Sequence, residues 1–413
     1  MKKPTLLYVE EVRNSLSEKV VTRRDINLVL LRFKQNLAFD NEYLARTSNI
    51  PCFVYNKSKS TKSEVGRFKK FCSKNRITID RFYNDSEYHQ ELVQEFANLL
   101  GIPGSLTKKQ ALCVRDKAAM KDMLQDIGYR TMNYSELSSV DDVIEFVKKS
   151  GDYPIIVKWR KGLSSKEVYK IENKKQLLDL HLDFSAKRYI AEEYCPYRIW
   201  CIDSLIQNGK VVATFYAWLP YTNLSFTEKK DKFAQITVPS KPKWFTFDGS
   251  KITQNIINEL NLTDGYMHLE AFVDDFGQPT ICEFAWRTPG EHMLLNHSLA
   301  FDIDVYSLLI DIMIGKSIEP LKIIGKKSVG DMFLPIYDGI ITKISSYNDL
   351  SKVQGVIDGN ITYKEGDIAE SKRQYTNCSG WIQINGKDEH QVLERMLSVY
   401  KSFTIKTRKG PVK

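Results

Sequence analysis

The stretch that most constrains this chain is residues 266–293, YMHLEAFVDDFGQPTICEFAWRTPGEHM. It reads as a β-hairpin. Residues of one parity on its first strand are His268, Glu270 and Phe272, and on its second Ile281, Glu283 and Ala285. A turn centred on Phe276-Gly277 sets Glu270 directly opposite Glu283. Like charges facing each other across a strand pair destabilise it, so such a pair calls for a cation between them. Two carboxylates beside substrate phosphates are a way to hold Mg²⁺. The plainer account is a solvated hairpin face with two unrelated glutamates. The Asp275-Phe276-Gly277 triplet imitates a kinase motif. No HRDxxxxN or kinase glycine loop precedes it, and it is more simply a turn.

A chain of 413 residues has room for two to four domains. With 42% hydrophobic and 27% charged residues it has the composition of a globular enzyme. The net charge of +9 comes as scattered lysines and does not by itself imply nucleic acid. Seven cysteines without a CxxC pair argue for a reduced compartment, with neither a disulfide framework nor a zinc site. The six histidines show no HExxH spacing. No signal peptide pattern opens the chain, and no apolar segment approaches membrane-spanning length. The expectation is a cytoplasmic protein without nucleic-acid or membrane partners.

Along the chain, residues 1–105 alternate short apolar strands (5–9, 26–31, 51–55 and a weaker 77–79) with helical stretches, the clearest at 86–100. This predicts an α/β unit with a small parallel sheet, and no GxGxxG supports a dinucleotide site. A helix is expected over 108–128, a strand over 129–133, and a capped helix over 139–150. A strong strand at 153–159 follows, then a basic Gly- and Ser-containing loop at 160–167 and a strand at 167–172. Strands at 188–194, 199–206 and 211–219 come next, the last two joined through Asn208-Gly209. Residues 221–245 read as a mobile loop, 250–262 as a helix, and 291–315 as helical with a break near 300–304. Residues 325–413 read as short glycine-broken strands with one helix over 389–400.

The chemistry centres on two lysines. Lys158 ends the apolar run Ile155-Ile156-Val157, where a buried ammonium is costly unless it meets an anion; the plainer alternative is that it snorkels from a strand end. The loop behind it offers backbone N–H groups with Lys161, Ser164 and Ser165, and a basic loop of this kind can close over phosphates. Lys117 lies in Arg115-Asp116-Lys117 on a helix and taken alone is a solvated face. Glu192-Glu193-Tyr194-Cys195 follows a strand and can offer acceptors to an adenine or ribose; alone it is an exposed strand end. Arg287 can reach a phosphate or carboxylate bidentately; alone it is a surface ion pair.

Taken in order, these features resemble the ATP-grasp superfamily over nearly the whole chain. Within it the chain is similar to the L-amino-acid ligases that make dipeptides in bacterial antibiotic pathways. The segment Glu283-Phe284-Ala285-Trp286-Arg287-Thr288-Pro289-Gly290-Glu291-His292-Met293 resembles the ExAxRxxGxxM segment of the bacilysin-type ligases, and the chain also resembles the arginine-using ligases of rizocticin biosynthesis. The resemblance implies an α/β (α+β) fold. Its parts would be an N-terminal Rossmann-like α/β domain (1–105), ATP-grasp subdomains (106–190, with the phosphate loop, and 191–324, with the metal site), and a C-terminal glycine-rich β lid unit (325–413). It implies that Lys117, Lys158, Lys161, Ser164 and Ser165 bind ATP phosphates, that Glu192, Glu193, Tyr194 and Cys195 form the adenine hinge, and that Glu270 and Glu283 hold Mg²⁺, with Mn²⁺ as an alternative. Lys158 and Arg287 would be catalytic, Arg287 steadying the transferred phosphoryl group. The activity implied is joining two L-amino acids, with arginine as first substrate, through an acyl phosphate. A ligase for another carboxylate or a thiol, a biotin-dependent carboxylase component, and a non-catalytic nucleotide-binding protein stay open, as does a homodimer. Two departures stand out. Ala285 replaces the asparagine of the common E-x-N pattern, and Tyr197-Arg198-Ile199 replaces the usual Gly-x-Glu after the hinge.

Overall fold

The structure, a computed structural model, describes the whole chain except residues 1–2, 12–13, 35–38, 186–187, 230–231, 291, 322–323, 373–375 and 410–413. Glu291 of the matched segment therefore lies outside the described residues.

The chain opens with β1 (Thr5–Val9), α1 (Ser15–Thr22), β2 (Asn27–Phe33), α2 (Asn41–Arg46), β3 (Cys52–Tyr55), α3 (Thr61–Asn75), β4 (Arg81–Asn84) and α4 (Gln90–Leu100). The strands form a parallel sheet in the order β3-β2-β1-β4. Strands buried on both faces need near-continuous apolar runs, and β1, TLLYV, is buried throughout. Leu7 and Val9 share a core with Phe68 of α3 and Phe96 of α4. Leu6 and Tyr8, on the opposite face, join a core that also holds Leu205, Phe215, Tyr266 and Leu309 from later in the chain. This sheet is therefore built into the rest of the molecule.

Next come α5 (Lys108–Cys113), α6 (Lys117–Asp126), β5 (Tyr134–Leu137), α7 (Val140–Ser150), β6 (Ile155–Trp159), β7 (Val168–Ile171), α8 (Lys174–Asp179) and β8 (Tyr189–Glu193). Their strands form an antiparallel sheet, β5-β8-β6-β7.

The remainder comprises β9 (Arg198–Gln207), β10 (Lys210–Leu219), α9 (Asn223–Lys229), β11 (Phe233–Val238), α10 (Gly249–Leu260), β12 (Gly265–Val273), β13 (Pro279–Ala285), α11 (Met293–Phe301), α12 (Val305–Met313), β14 (Ser328–Leu334), β15 (Gly339–Ile344), α13 (Tyr347–Leu350), β16 (Val356–Ile361), β17 (Ile368–Ala369), β18 (Gly380–Gly386), α14 (Glu389–Ser402) and β19 (Ile405–Arg408). An eight-stranded sheet runs β13-β12-β9-β10-β11-β14-β18-β16, and β17-β15-β19 form a small separate one. The β9–β10 turn is made by Asn208 and Gly209, both at positive φ, as a tight hairpin between twisted strands requires.

Several local expectations are corrected. The fourth parallel strand is β4, not 77–79. Helix α4 starts at Gln90, so residues 86–89 form the connection after β4. The helix expected over 108–128 is two. Asp116 turns extended and caps α6, accepting from the N–H of Ala118 and Ala119. The strand expected at 129–133 lies at 134–137, and only Thr131 bridges to Ile281. The supposed mobile loop at 221–245 contains α9 and β11, and every residue of β11 is buried between β10 and β14. Its polar residues misled because their partners are remote. Gln235 donates to Asp331 at 2.8 Å, and Thr237 is 2.9 Å from His297. A buried polar group costs little once it is hydrogen-bonded.

No single helix among the described residues is long and apolar enough to cross a membrane. The apolar pair α11–α12 is bent by 111°.

Candidate functional site

The β12–β13 hairpin sets the site. Glu270 pairs with Glu283, as the sequence suggests, but the register takes a different route. From the tip, Val273 faces Pro279, Phe272 faces Thr280 and Ala271 faces Ile281. Continued regularly, that register would oppose Glu270 to Cys282. A bulge inserts one residue there and brings Glu283 opposite Glu270. A bulge lets two residues share one partner and re-aims a side chain, and here Cys282 and Glu283 both line the cavity. Ile281 is consequently on the other face, in the main core with Leu269, Ala271 and Phe284. This corrects its grouping with Glu283.

The hairpin borders a cavity of about 1420 Å³ lined by residues from both four-stranded sheets and the eight-stranded one. Of the residues singled out in the sequence, Lys117, Lys158, Ser164, Ser165, Glu192, Glu193, Tyr194, Cys195, Glu270, Glu283 and Arg287 all line it. Lys161 does not. Its Nζ pairs with Glu91 on α4, at 2.5 Å.

Lys117, at the start of α6, is 3.1 Å from Glu283 and donates to the carbonyl of Gly162 at 2.8 Å. The ammonium thus joins the hairpin to the 160–167 loop. Lys158 is 4% exposed and lies 2.6 Å from Glu192. Lys121 approaches the other oxygen of Glu192 at 3.1 Å. Glu192 is therefore an inward-facing counter-ion for two lysines rather than an exposed hinge acceptor. Burial raises its pKa, but Lys121 and Lys158 outweigh that and hold it below the usual carboxylate range. For Lys158 burial opposes the charge, and Glu192 more than restores it, so its pKa is raised. Burial likewise works against Glu283, yet Lys117 and Lys158 bring its pKa down to about 2. Glu193 is half-buried and accepts from Asn133 at 2.8 Å. The Tyr194 ring carries Lys170 4.3 Å from its centre.

The 160–167 loop holds Ser164, Ser165 and Glu167 at positive φ. Non-glycine residues there cost roughly 1–3 kcal/mol each and cluster at ligand clamps and switches. Arg160 anchors the loop to Asp116 at 2.7 Å and also pairs with Glu136.

Three groups of functional interest were not read from the sequence. The connection after β4 supplies Asp85, which accepts from the backbone N–H of Thr288 at 3.0 Å and from its hydroxyl, and Glu87, which accepts from Arg287 Nε at 2.6 Å. Burial raises the pKa of Asp85. Burial also acts on Glu87, but Arg287, Arg115 and Lys117 together lower its pKa. The run Asn84-Asp85-Ser86-Glu87 is turn-forming in composition, and connections at the carboxyl ends of parallel strands are where such sheets place ligands; reading 86–100 as one helix hid that signal. The second group is a buried chain of polar residues. His297 and His268 each lie 2.7 Å from one oxygen of Asp203, and His268 Nε2 is 3.3 Å from Glu270. Burial disfavours charge on His268, but Asp203 and Glu270 push its pKa up to about 10. The third comprises Lys121, the second partner of Glu192, and Arg115, whose guanidinium lies 3.8 Å from Glu87.

The donors suit a hard cation. Glu270 and Glu283 are opposed and cavity-lining, Glu283 is held ionised, and carboxylate oxygens are what Mg²⁺ prefers. Ala285 offers no further oxygen from its side chain. Cys201, His268 and Glu270 also bring ligand atoms within 4.8 Å of one another.

No family model matches the chain. A curated relative, the L-arginine-specific L-amino acid ligase of Bacillus subtilis, is 22% identical over 307 residues, covering 71% of this chain and 72% of the relative. The crystal structure of an L-amino acid ligase from Bacillus licheniformis matches with a TM-score of 0.76 at 16% identity, over 99% of this chain and 100% of that one. The chain has the ATP-grasp fold. The biotin carboxylase domain of Hydrogenobacter thermophilus 2-oxoglutarate carboxylase, solved with MgADP, matches with a TM-score of 0.64 at 13% identity, over 97% of this chain and 90% of that one. The ATP-grasp fold thus spans enzymes of different chemistry. The likeness to L-amino-acid ligases read from the motifs agrees with both the curated relative and the first of these structures.

Proposed function

We propose that the chain is an ATP-dependent ligase that joins two L-amino acids into a dipeptide. ATP phosphorylates the carboxylate of the first amino acid, giving an acyl phosphate and ADP. The amine of the second attacks the carbonyl carbon, the amide forms, and phosphate leaves. The observation that carries this reading is the convergence of Lys117, Lys158, Glu270, Glu283 and Arg287 on one cavity that the connection after β4 also lines.

Each group has a role its surroundings support. Lys158, kept charged by Glu192, and Lys117 neutralise the nucleotide phosphates. The backbone around Ser164 and Ser165 closes over them. Glu193 to Cys195 border the base. Glu270 and Glu283 would hold Mg²⁺, which when bound offsets charge on the transferring phosphoryl group. Arg287, oriented by Glu87, meets the acyl phosphate. Catalysis is then positioning and electrostatics, and no covalent enzyme intermediate is needed. The 160–167 loop and α9 act as lids that keep water from the acyl phosphate. Arginine as first substrate is supported by the carboxylates of Glu11, Asp85 and Glu87 in the same wall, which complement a guanidinium.

The test is phosphate and ADP release over a grid of amino-acid pairs, with product masses. ADP formed in step with a dipeptide, and most strongly with arginine, is the expected result. ADP formed only with hydrogencarbonate or a non-amino-acid carboxylate, or nucleotide binding without turnover, would overturn the reading.

A further inference from the structure

A second cleft, of about 500 Å³, lies beside the large cavity, and Pro196 and Tyr197 line both. Its walls are indoles. Trp200 and Trp218 stack with centroids 6.2 Å apart, and Trp244 meets Trp200 edge-on at 6.1 Å. Trp244 is 49% exposed and borders the cleft, so its indole is open to an occupant. Asp274, Asp275 and Glu389 share the cleft with a single guanidinium, Arg198. Three carboxylates against one arginine make a locally acidic concavity on a chain whose net charge is +9. The chain's own cation already uses the cage, since the Arg198 guanidinium carbon sits 5.4 Å from the Trp218 ring centre.

We propose that this cleft binds a small organic cation, a guanidinium or alkylammonium compound, which takes the place of Arg198 against the indoles. Cations are attracted to the faces of tryptophan rings, more strongly when partly desolvated. Nearby carboxylates add long-range attraction.

The cage is also rigid. Thr246 donates to the carbonyl of Gly277 through both its N–H, at 3.1 Å, and its hydroxyl, at 2.9 Å. This ties the Trp244 segment to the hairpin tip. Gly277 is at positive φ, and a Cβ there would lie 2.1 Å from the Trp244 carbonyl oxygen, so the approach requires glycine. Asp274 is fixed by accepting from the N–H groups of Phe276 and Gln278. A preformed site loses little ordering entropy on binding. Pro196 and Tyr197, which line both cleft and cavity, directly follow Tyr194-Cys195. The proposal does not depend on which reaction the large cavity performs.

Agmatine is the probe, because it carries a guanidinium and an amine but no carboxylate to activate. It is titrated into the full chain by calorimetry, with tryptophan fluorescence in parallel. Saturable binding is expected, weakened about tenfold by Trp244→Ala and weakened again by Asp275→Asn with Glu389→Gln. Arg198→Ala removes the internal competitor and should tighten binding several-fold. Neither Trp244 nor Arg198 is buried, and the tightening expected of Arg198→Ala is an effect that misfolding would not produce. Agmatine held by the carboxylate wall of the large cavity is separated by Glu87→Gln, which should remove only that component and leave the Trp244-dependent one. No saturable binding, weaker binding in Arg198→Ala, or binding that Glu87→Gln abolishes and Trp244→Ala leaves untouched would each overturn the proposal.

Discussion

The two faces of the β12–β13 hairpin are made by neighbouring residues and do opposite things. One face, Leu269, Ala271, Ile281 and Phe284, is sealed in the main core with Ile252, Ile256 and Met332. The other sets His268, Glu270, Cys282 and Glu283 against the cavity. The first gains from burial. The second works against stability, since two opposed carboxylates repel each other and need lysines or a metal to remain together. The bulge at Cys282 lets both coexist, because one extra residue on β13 changes which side chains face the cavity. Folding and function are therefore separable at adjacent positions, which can be tested by substitution.

The largest separation comes from the core face. Phe284→Ala should cost about 3–5 kcal/mol in stability, from lost burial and the cavity left behind, read by urea unfolding. A smaller cost than that of an exposed substitution would break the comparison. On the opposite face, Glu283→Ala should lower amino-acid-dependent ADP release on the order of 10²–10³-fold, while unfolding shows little or no loss. Lys158→Ala should do the same to turnover by removing a phosphate-binding ammonium, and the fold should survive because Glu192 keeps Lys121 as its partner. Wild-type turnover in either variant would remove these residues from the site.

Glu192→Gln sharpens the contrast between buried charge and buried carbon. Two lysines lose their counter-ion, which should cost about 3 kcal/mol at neutral pH. The folded-state pKa of Glu192 is depressed from 4.5. Its contribution is therefore complete above the unfolded value and is lost as pH falls through the folded one. The gap between wild type and variant should narrow in acid; a gap that widens below pH 4.5 would contradict the assigned direction. The smallest effect belongs to Lys161→Ala. Its pair with Glu91 is 37% and 41% exposed, and such pairs contribute about 0–1 kcal/mol. Turnover near that of the parent chain is expected, in contrast to Lys158, three residues earlier. A large loss would return Lys161 to the phosphate loop.

Much of this arrangement is visible in the primary structure. The alternation of β1 to α4 announces a parallel sheet, Ser139 with Asp142 caps α7, and Asn208-Gly209 closes the β9–β10 hairpin. Lysine at the end of Ile155-Ile156-Val157 demands an anion. These signals are local: periodicity, caps and turn residues act over a few positions. Tertiary structure decided which anion. Glu192 takes both Lys158 and Lys121, Glu87 takes Arg287 from 200 residues away, and Asp85 holds Thr288. It also buried the polar strand β11 by giving Gln235 and Thr237 partners in β14 and α11. Such choices rest on which buried charges and hydrogen-bonding groups meet when distant elements pack. That energy is absent from any short window of sequence.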